Sequence, residues 1–118
     1  MILVDTSVWV EHLRTGSGRL SALLGDGQVL GHPLVIGELA CGTLRNRQEI
    51  LSLLRTLPQA AVAEQEEILN FLEVQRLYGR GLGWVDVSLL ASAVLTSCAL
   101  WTLDKPLRRI AGALSLTY

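Results

Sequence analysis

The chain lacks most of what would announce a common chemistry. It has two cysteines, Cys41 and Cys98, with no CxxC pair and no His/Cys cluster. That excludes a disulfide framework and gives no indication of a zinc site; each is read as a reduced thiol in an apolar setting. Neither sign of charge dominates, with ten basic residues against eleven acidic and a net charge of −1, so there is no global basic signature for nucleic acid. No basic segment precedes an apolar run at the start, so no signal peptide is expected. The uncharged stretch Val87–Leu103 has seventeen residues, about the minimum for a membrane span. It is interrupted by Ser88, Ser92, Thr96, Ser97 and Thr102 and divides into a helix plus a strand. A cytoplasmic protein without membrane association is expected. Gly79, Gly81 and Gly83 lack the following Lys-Ser/Thr of a P-loop and come after a helix, so they do not read as a phosphate cradle.

What is present is apolar residue in quantity. Half of the 118 residues are hydrophobic and the mean hydropathy is +0.40, enough for one domain, residues 1–118, with one core. A chain this apolar is expected to leave some hydrophobic surface for a partner. With four acids set aside in one site, ten basic residues face seven acidic ones, a mildly basic body suited to a polyanion.

Apolar runs and breakers predict the order of elements. Ile2–Asp5 reads as a strand, Ser7–Leu13 and Arg19–Leu24 as helices, and Val29–Leu30 as a short strand. Pro33 starts a helix reaching about Leu44, where Pro is tolerated in the first turn. Gln48–Leu57 is helical up to Pro58, and Ala60–Val62 reads as a third short strand. Glu64–Tyr78 is an amphipathic helix with acids in its first turn. Asp86 begins a helix to about Ser97, Ala99–Thr102 is a strand, Lys105–Ala113 a helix and Leu116–Thr117 a last strand. Short, apolar strands alternating with helices predict an α/β fold with a mainly parallel sheet covered on both faces. In such sheets the ligand site lies beyond the carboxyl ends of the strands.

Four acids punctuate these apolar segments: Asp5 after the first strand, Glu38 within Leu34–Leu44, Asp86 at a helix start, and Asp104 after Ala99–Thr102. Each has an ordinary structural role open to it. Asp5 and Asp86 are good N-caps, and Asp104 before Lys105-Pro106 suits a turn or cap. Glu38 is harder to place, because a lone carboxylate on an apolar helix is costly unless exposed or paired; a solvated stripe shared with Arg45 is the alternative. If the four converge, their repulsion raises some pKa values, and a divalent cation removes that penalty. Oxygen ligands alone favour Mg²⁺ or Mn²⁺. Such an ion can generate hydroxide from bound water and stabilise charge on a phosphoryl oxygen. His12 and His32 show no acid/base partner and are read as structural.

The stretches MILVDTSVWVEHLR, GELACG, GLGWVDVSLLASA and LWTLDKPL together resemble a PIN-domain ribonuclease, and more narrowly the VapC-type toxins of bacterial toxin–antitoxin pairs. DTSVW and WTLDK are the most specific parts. The resemblance covers nearly the whole chain and implies an α/β/α sandwich with Mg²⁺/Mn²⁺-dependent endonucleolytic cleavage of RNA. It implies a homodimer neutralised by a small VapB-like antitoxin. Asp5, Glu38, Asp86 and Asp104 match the acidic quartet, with Asp5 and Asp86 the surest metal ligands. Thr6 and Thr102 match hydroxyl positions that hold a carboxylate or water. Lys105 and Pro106 stand where some relatives carry a further acid. For substrate contact Arg14, Arg45, Arg80, Lys105 and Arg108 are the candidates, with Arg45 first because it shares Glu38's predicted helix face. Trp9, Trp84 and Trp101 are better explained by packing than by base stacking.

Three other readings compete. A receiver-like phosphorylation domain needs a second acid beside Asp5 and an acceptor Asp in the middle of the chain. Thr6 and Ser7 follow Asp5 instead, and residues 49–63 contain no Asp. A DxDx phosphatase needs an acid where Ser7 stands. A non-catalytic PIN-like module that only binds RNA or a partner is the remaining alternative.

Overall fold

A computed structural model describes all residues, 1–118. Three short strands, β1 (Ile2–Val4), β2 (Val29–Leu30) and β3 (Ala99–Trp101), form one sheet in the order β2-β1-β3. Both pairings are parallel, with Leu3 opposite Leu30 on one side and Leu100 on the other. Seven helices surround it: α1 (Thr6–Thr15), α2 (Gly18–Gly25), α3 (Pro33–Ala40), α4 (Arg47–Thr56), α5 (Gln65–Val74), α6 (Trp84–Thr96) and α7 (Lys105–Ala113).

Successive residues of a strand point to opposite faces. Leu3 and Val4 are both fully buried, so the sheet is covered on each side, and the architecture is the expected α/β/α sandwich. The uncharged stretch finds its reason in α6, where every residue from Val87 to Ala93 is buried. A helix apolar all round belongs inside the core; it packs against α5 and β3. At thirteen residues it is far short of a membrane span, and no helix is long and apolar enough to cross one.

Two expected strands shrink to single bridges. In place of Ala60–Val62, Gln59 alone pairs with Gly31 beside β2; in place of Leu116–Thr117, only Thr117 bridges to Leu100 beside β3. The helix expected to reach about Leu44 stops at Ala40. Its last turn tightens, with the Cys41 N–H shared between the Gly37 and Glu38 carbonyls, and the Arg47 guanidinium donates to the Ala40 carbonyl at 2.5 Å. A basic side chain satisfying a terminal carbonyl is a common way to finish a helix. The helix expected over Glu64–Tyr78 likewise ends at Val74. Beyond it Arg76 takes a left-handed conformation, φ 52°, which turns the chain away.

His32 has a structural role, as its lack of a sequence partner suggested. It caps α3, its Nδ1 accepting from the Leu34 N–H at 3.0 Å, while Nε2 lies 2.9 Å from Ser92 Oγ in the core. Nδ1 is therefore an acceptor and the ring neutral, with its proton on Nε2. Burial lowers the imidazole pKa from 6.5. Below about pH 6.5 the unfolded chain binds a proton that the fold refuses. Stability is therefore expected to fall as pH drops from 6.5 towards the lowered value. Urea titrations between pH 7.5 and 5.5 will show this slope, and His32→Asn should flatten it.

Candidate active site at the carboxyl edge of the sheet

The site begins where β1 ends. The Asp5 N–H donates to the Trp101 carbonyl at 2.9 Å, so the acid's backbone is held between β1 and β3. Asp5 occupies the N-cap position of α1, yet its side chain makes no capping bond. The capping explanation therefore fails for this residue. Its Oδ2 instead accepts two hydroxyls, from Ser7 Oγ and Thr102 Oγ1, each at 2.7 Å. Asp5 is only 6 % exposed, and no buried side-chain nitrogen or oxygen lacks a partner. The other oxygen, Oδ1, carries no hydrogen bond and so must open to solvent. One oxygen orients the carboxylate and the other is left for a ligand.

Ser7 was not singled out in the sequence, and it is central here. Besides Asp5 it lies 3.3 Å from Thr102 Oγ1 and accepts from the Leu103 N–H at 3.0 Å. It thereby joins the start of α1 to the end of β3. Its signal was local: a serine two residues after an aspartate routinely bonds back to it. Thr102 accepts the Asp104 N–H at 3.0 Å, extending the same network to the next acid.

Asp104 is the true cap among the four. Its Oδ2 accepts from the Leu107 N–H at 3.0 Å, at the head of α7. Asp86 stands one turn inside α6 and not at its N-cap, which is Gly83; its Oδ2 reaches back to the Gly83 N–H at 3.0 Å. Glu38 projects from α3 towards α1, and Thr6 Oγ1 donates to its Oε1 at 2.6 Å. It is exposed, so the expected cost of a buried lone carboxylate does not arise. Its partner is Thr6, not Arg45. Because α3 ends at Ala40, Arg45 lies in the following turn and shares no helix face with Glu38.

The four acids are drawn into one field. Burial raises the Asp86 carboxyl pKa above its usual value, the Gly83 hydrogen bond opposes this, and the charges of Asp5, Asp104 and Glu38 each raise it further. The acids are neighbours without forming a tight cage, since no three acidic, histidine or cysteine side chains stand close enough together to hold a metal ion. Among the candidate basic residues Arg14 is engaged with Glu11 at 3.1 Å. Arg45, Arg80, Lys105 and Arg108 are exposed. The glycine-rich loop carrying Arg80 lies against the start of α7, where a Cβ on Gly81 would sit 3.9 Å from Pro106. Trp9 is a core residue, 5 % exposed.

A short-stranded parallel sheet with acids gathered at its carboxyl edge is the framework of one family, and the chain belongs to it: the model of the PIN domain family matches residues 2–113. Within that family it is similar to proteins named ribonuclease VapC32 from two strains of Mycobacterium tuberculosis, CDC 1551 / Oshkosh and ATCC 25618 / H37Rv. Each is 52 % identical over 109 residues, covering 92 % of this chain and 88 % of the relative. The resemblance drawn from DTSVW and WTLDK is borne out.

Proposed function

We propose that the chain is a Mg²⁺- or Mn²⁺-dependent endoribonuclease, the cytoplasmic toxin of a toxin–antitoxin pair. The observation that carries the reading is Asp5: a carboxylate fixed through one oxygen by two hydroxyls, with its other oxygen free, among three further acids. The ribonuclease name of its relatives supports the substrate class.

The donor set fits a hard divalent cation. Mg²⁺ keeps several waters and is held through one or two carboxylates together with substrate phosphate, so the four acids need not close into a cage. Asp5 and Asp86 would be its direct ligands, with Glu38 and Asp104 acting alongside them. When bound, the ion supplies Lewis acidity, making water acidic and offsetting charge on the phosphoryl group. The protein does the rest. Ser7 and Thr102 fix the Asp5 carboxylate, Thr6 fixes Glu38, and α7 positions Asp104. No serine, cysteine or histidine is placed for nucleophilic attack, so water takes that part. Arg14, Arg45, Arg80, Lys105 and Arg108 are proposed to contact the RNA backbone.

A homodimer and a VapB-like antitoxin complete the reading. An apolar groove of about 270 Å³ between α5 and α6, lined by Phe71, Val74, Val94 and Leu95 among others, leaves surface of the kind a partner covers. The alternative, a non-catalytic RNA-binding module, is separated by one experiment. Purified protein is expected to cut single-stranded RNA in Mn²⁺ and to stop in EDTA. Mn²⁺ should also raise its melting temperature, by the equivalent of about 2.7 kcal/mol at a hundred times Kd. RNA binding without cleavage, and without a Mn²⁺ shift, would favour the module.

A further inference from the structure

A second feature adjoins the acids on the far side of β3. A cavity of about 160 Å³ is lined by Arg19, Leu100, Trp101, Thr102, Leu103, Arg108, Thr117 and Tyr118. It contains two arginines and two threonine hydroxyls and no acid. Arg19 comes from the first turn of α2 and lies over the rings of Trp101 and Tyr118, 5.4 and 4.7 Å from their centroids. The two rings are themselves 5.2 Å apart. Stacking of this kind holds a guanidinium by its face and leaves its N–H edge available. Arg108 approaches from α7.

Neither guanidinium has a protein acceptor. The one ion pair of the molecule is Arg14–Glu11, and the only other arginine bonded to a protein group is Arg47, on a backbone carbonyl. Two unneutralised guanidiniums facing one small polar cavity repel each other, and an anion with several oxygens satisfies both. A phosphate suits them best, because the planar fork matches it bidentately. The cavity shares a wall with the acidic site. Thr102 lines it while donating to Asp5, and Leu103 lines it while its N–H donates to Ser7.

We propose that this cavity is a phosphate subsite, in which Arg19 and Arg108 grip a phosphodiester of the RNA strand flanking the bond to be cut. The assignment rests on the ribonuclease reading above and adds to it a second contact point on the substrate. An anion site beside a cation site places successive phosphates of one strand on unlike neighbours. A strand would thus be held in register by its backbone and not by its bases.

The test compares protein with the combined Arg19→Gln and Arg108→Gln substitutions against protein without them, both in an Asp5→Asn background that blocks cleavage. Affinity for a single-stranded RNA hexamer is measured over a range of salt. The double variant should bind about ten-fold more weakly, as loss of charge-assisted hydrogen bonds implies. Its log–log salt slope should be shallower by about 0.7 for each lost phosphate contact. With Asp5 intact, a dinucleotide has no flanking phosphate, and the double variant should cleave it as the unsubstituted protein does. Arg108→Gln alone leaves Arg19 on its rings, and should give a smaller loss of the same kind if the double variant unfolds. Unchanged affinity and slope in protein that still cleaves RNA overturn the subsite alone. Unchanged RNA binding with loss of affinity for a polyglutamate peptide overturns it in favour of an acidic protein segment. Failure of the unsubstituted protein to bind or cut RNA removes the ribonuclease reading, and this subsite with it.

Discussion

Asp5→Asn is expected to reduce RNA cleavage by at least about 10²–10³-fold, the scale on which one preorganised electrostatic group acts in catalysis, with little change in fold. The substitution is nearly isosteric, and the two hydroxyls on Oδ2 can bond to an amide as readily as to a carboxylate. What changes is the free oxygen. If the asparagine oxygen faces Ser7 and Thr102, its NH₂ group faces the ligand position and repels a cation. If the amide is turned round, an oxygen remains but the negative charge is gone. Either orientation weakens the hold on a divalent ion. The measurement is single-turnover cleavage of an RNA oligonucleotide with saturating Mn²⁺, beside circular dichroism and thermal melting to establish that the variant is folded. Cleavage retained within a few-fold would remove Asp5 from the chemistry.

The second large effect concerns stability. Leu3→Ala is expected to destabilise the protein by about 3–5 kcal/mol, the upper part of the range for deleting a buried leucine. Leu3 is completely inaccessible and stands on the central strand, opposite Leu30 and Leu100. Helices cover both faces, so no surface group can move in to fill the void. A domain of this kind is stable by only about 5–15 kcal/mol in total, so the loss is a large share. Urea denaturation should show a lower midpoint with an unchanged slope. A change below about 1 kcal/mol would mean that the core collapses around the gap. Because the same strand ends in Asp5, partial unfolding here should also depress cleavage.

The strand–helix order was readable because its signals are local. Ile2–Val4, Val29–Leu30 and the helix from Lys105 follow from apolar runs, breakers and caps. The helix from Pro33 was overextended because no nearby residue marks its end as firmly as Arg47, seven positions beyond the Ala40 carbonyl it bonds. The acids were legible as a set, since each interrupts an apolar segment, but their individual tasks were not. Capping was the ordinary explanation for Asp5, Asp86 and Asp104, and only Asp104 takes a standard N-cap bond to a helix N–H. Asp5 turns instead to Thr102, ninety-seven residues away. Arg19 is the clearest case of what a chain read in order conceals. Its charge is unremarkable in Gly18–Gly25, and its meaning depends on Trp101 and Tyr118, which only the folded sheet brings beneath it.

The two single-residue bridges have a consequence for the protein in a crowded cell. A three-stranded parallel sheet exposes a row of unpaired peptide groups along each outer strand, a template on which other chains can pair and fibrils can grow. Here Gly31 exchanges bonds with Pro58 and Ala60, and Leu100 with Leu116 and Tyr118, so each outer strand meets passing chain from its own molecule. A single residue on either side is too short to be copied as a strand, yet it blankets the donors and acceptors that would invite a stranger. The smallest pieces of β-structure in the molecule thus serve as insulation, guarding a very apolar chain against self-association through its sheet.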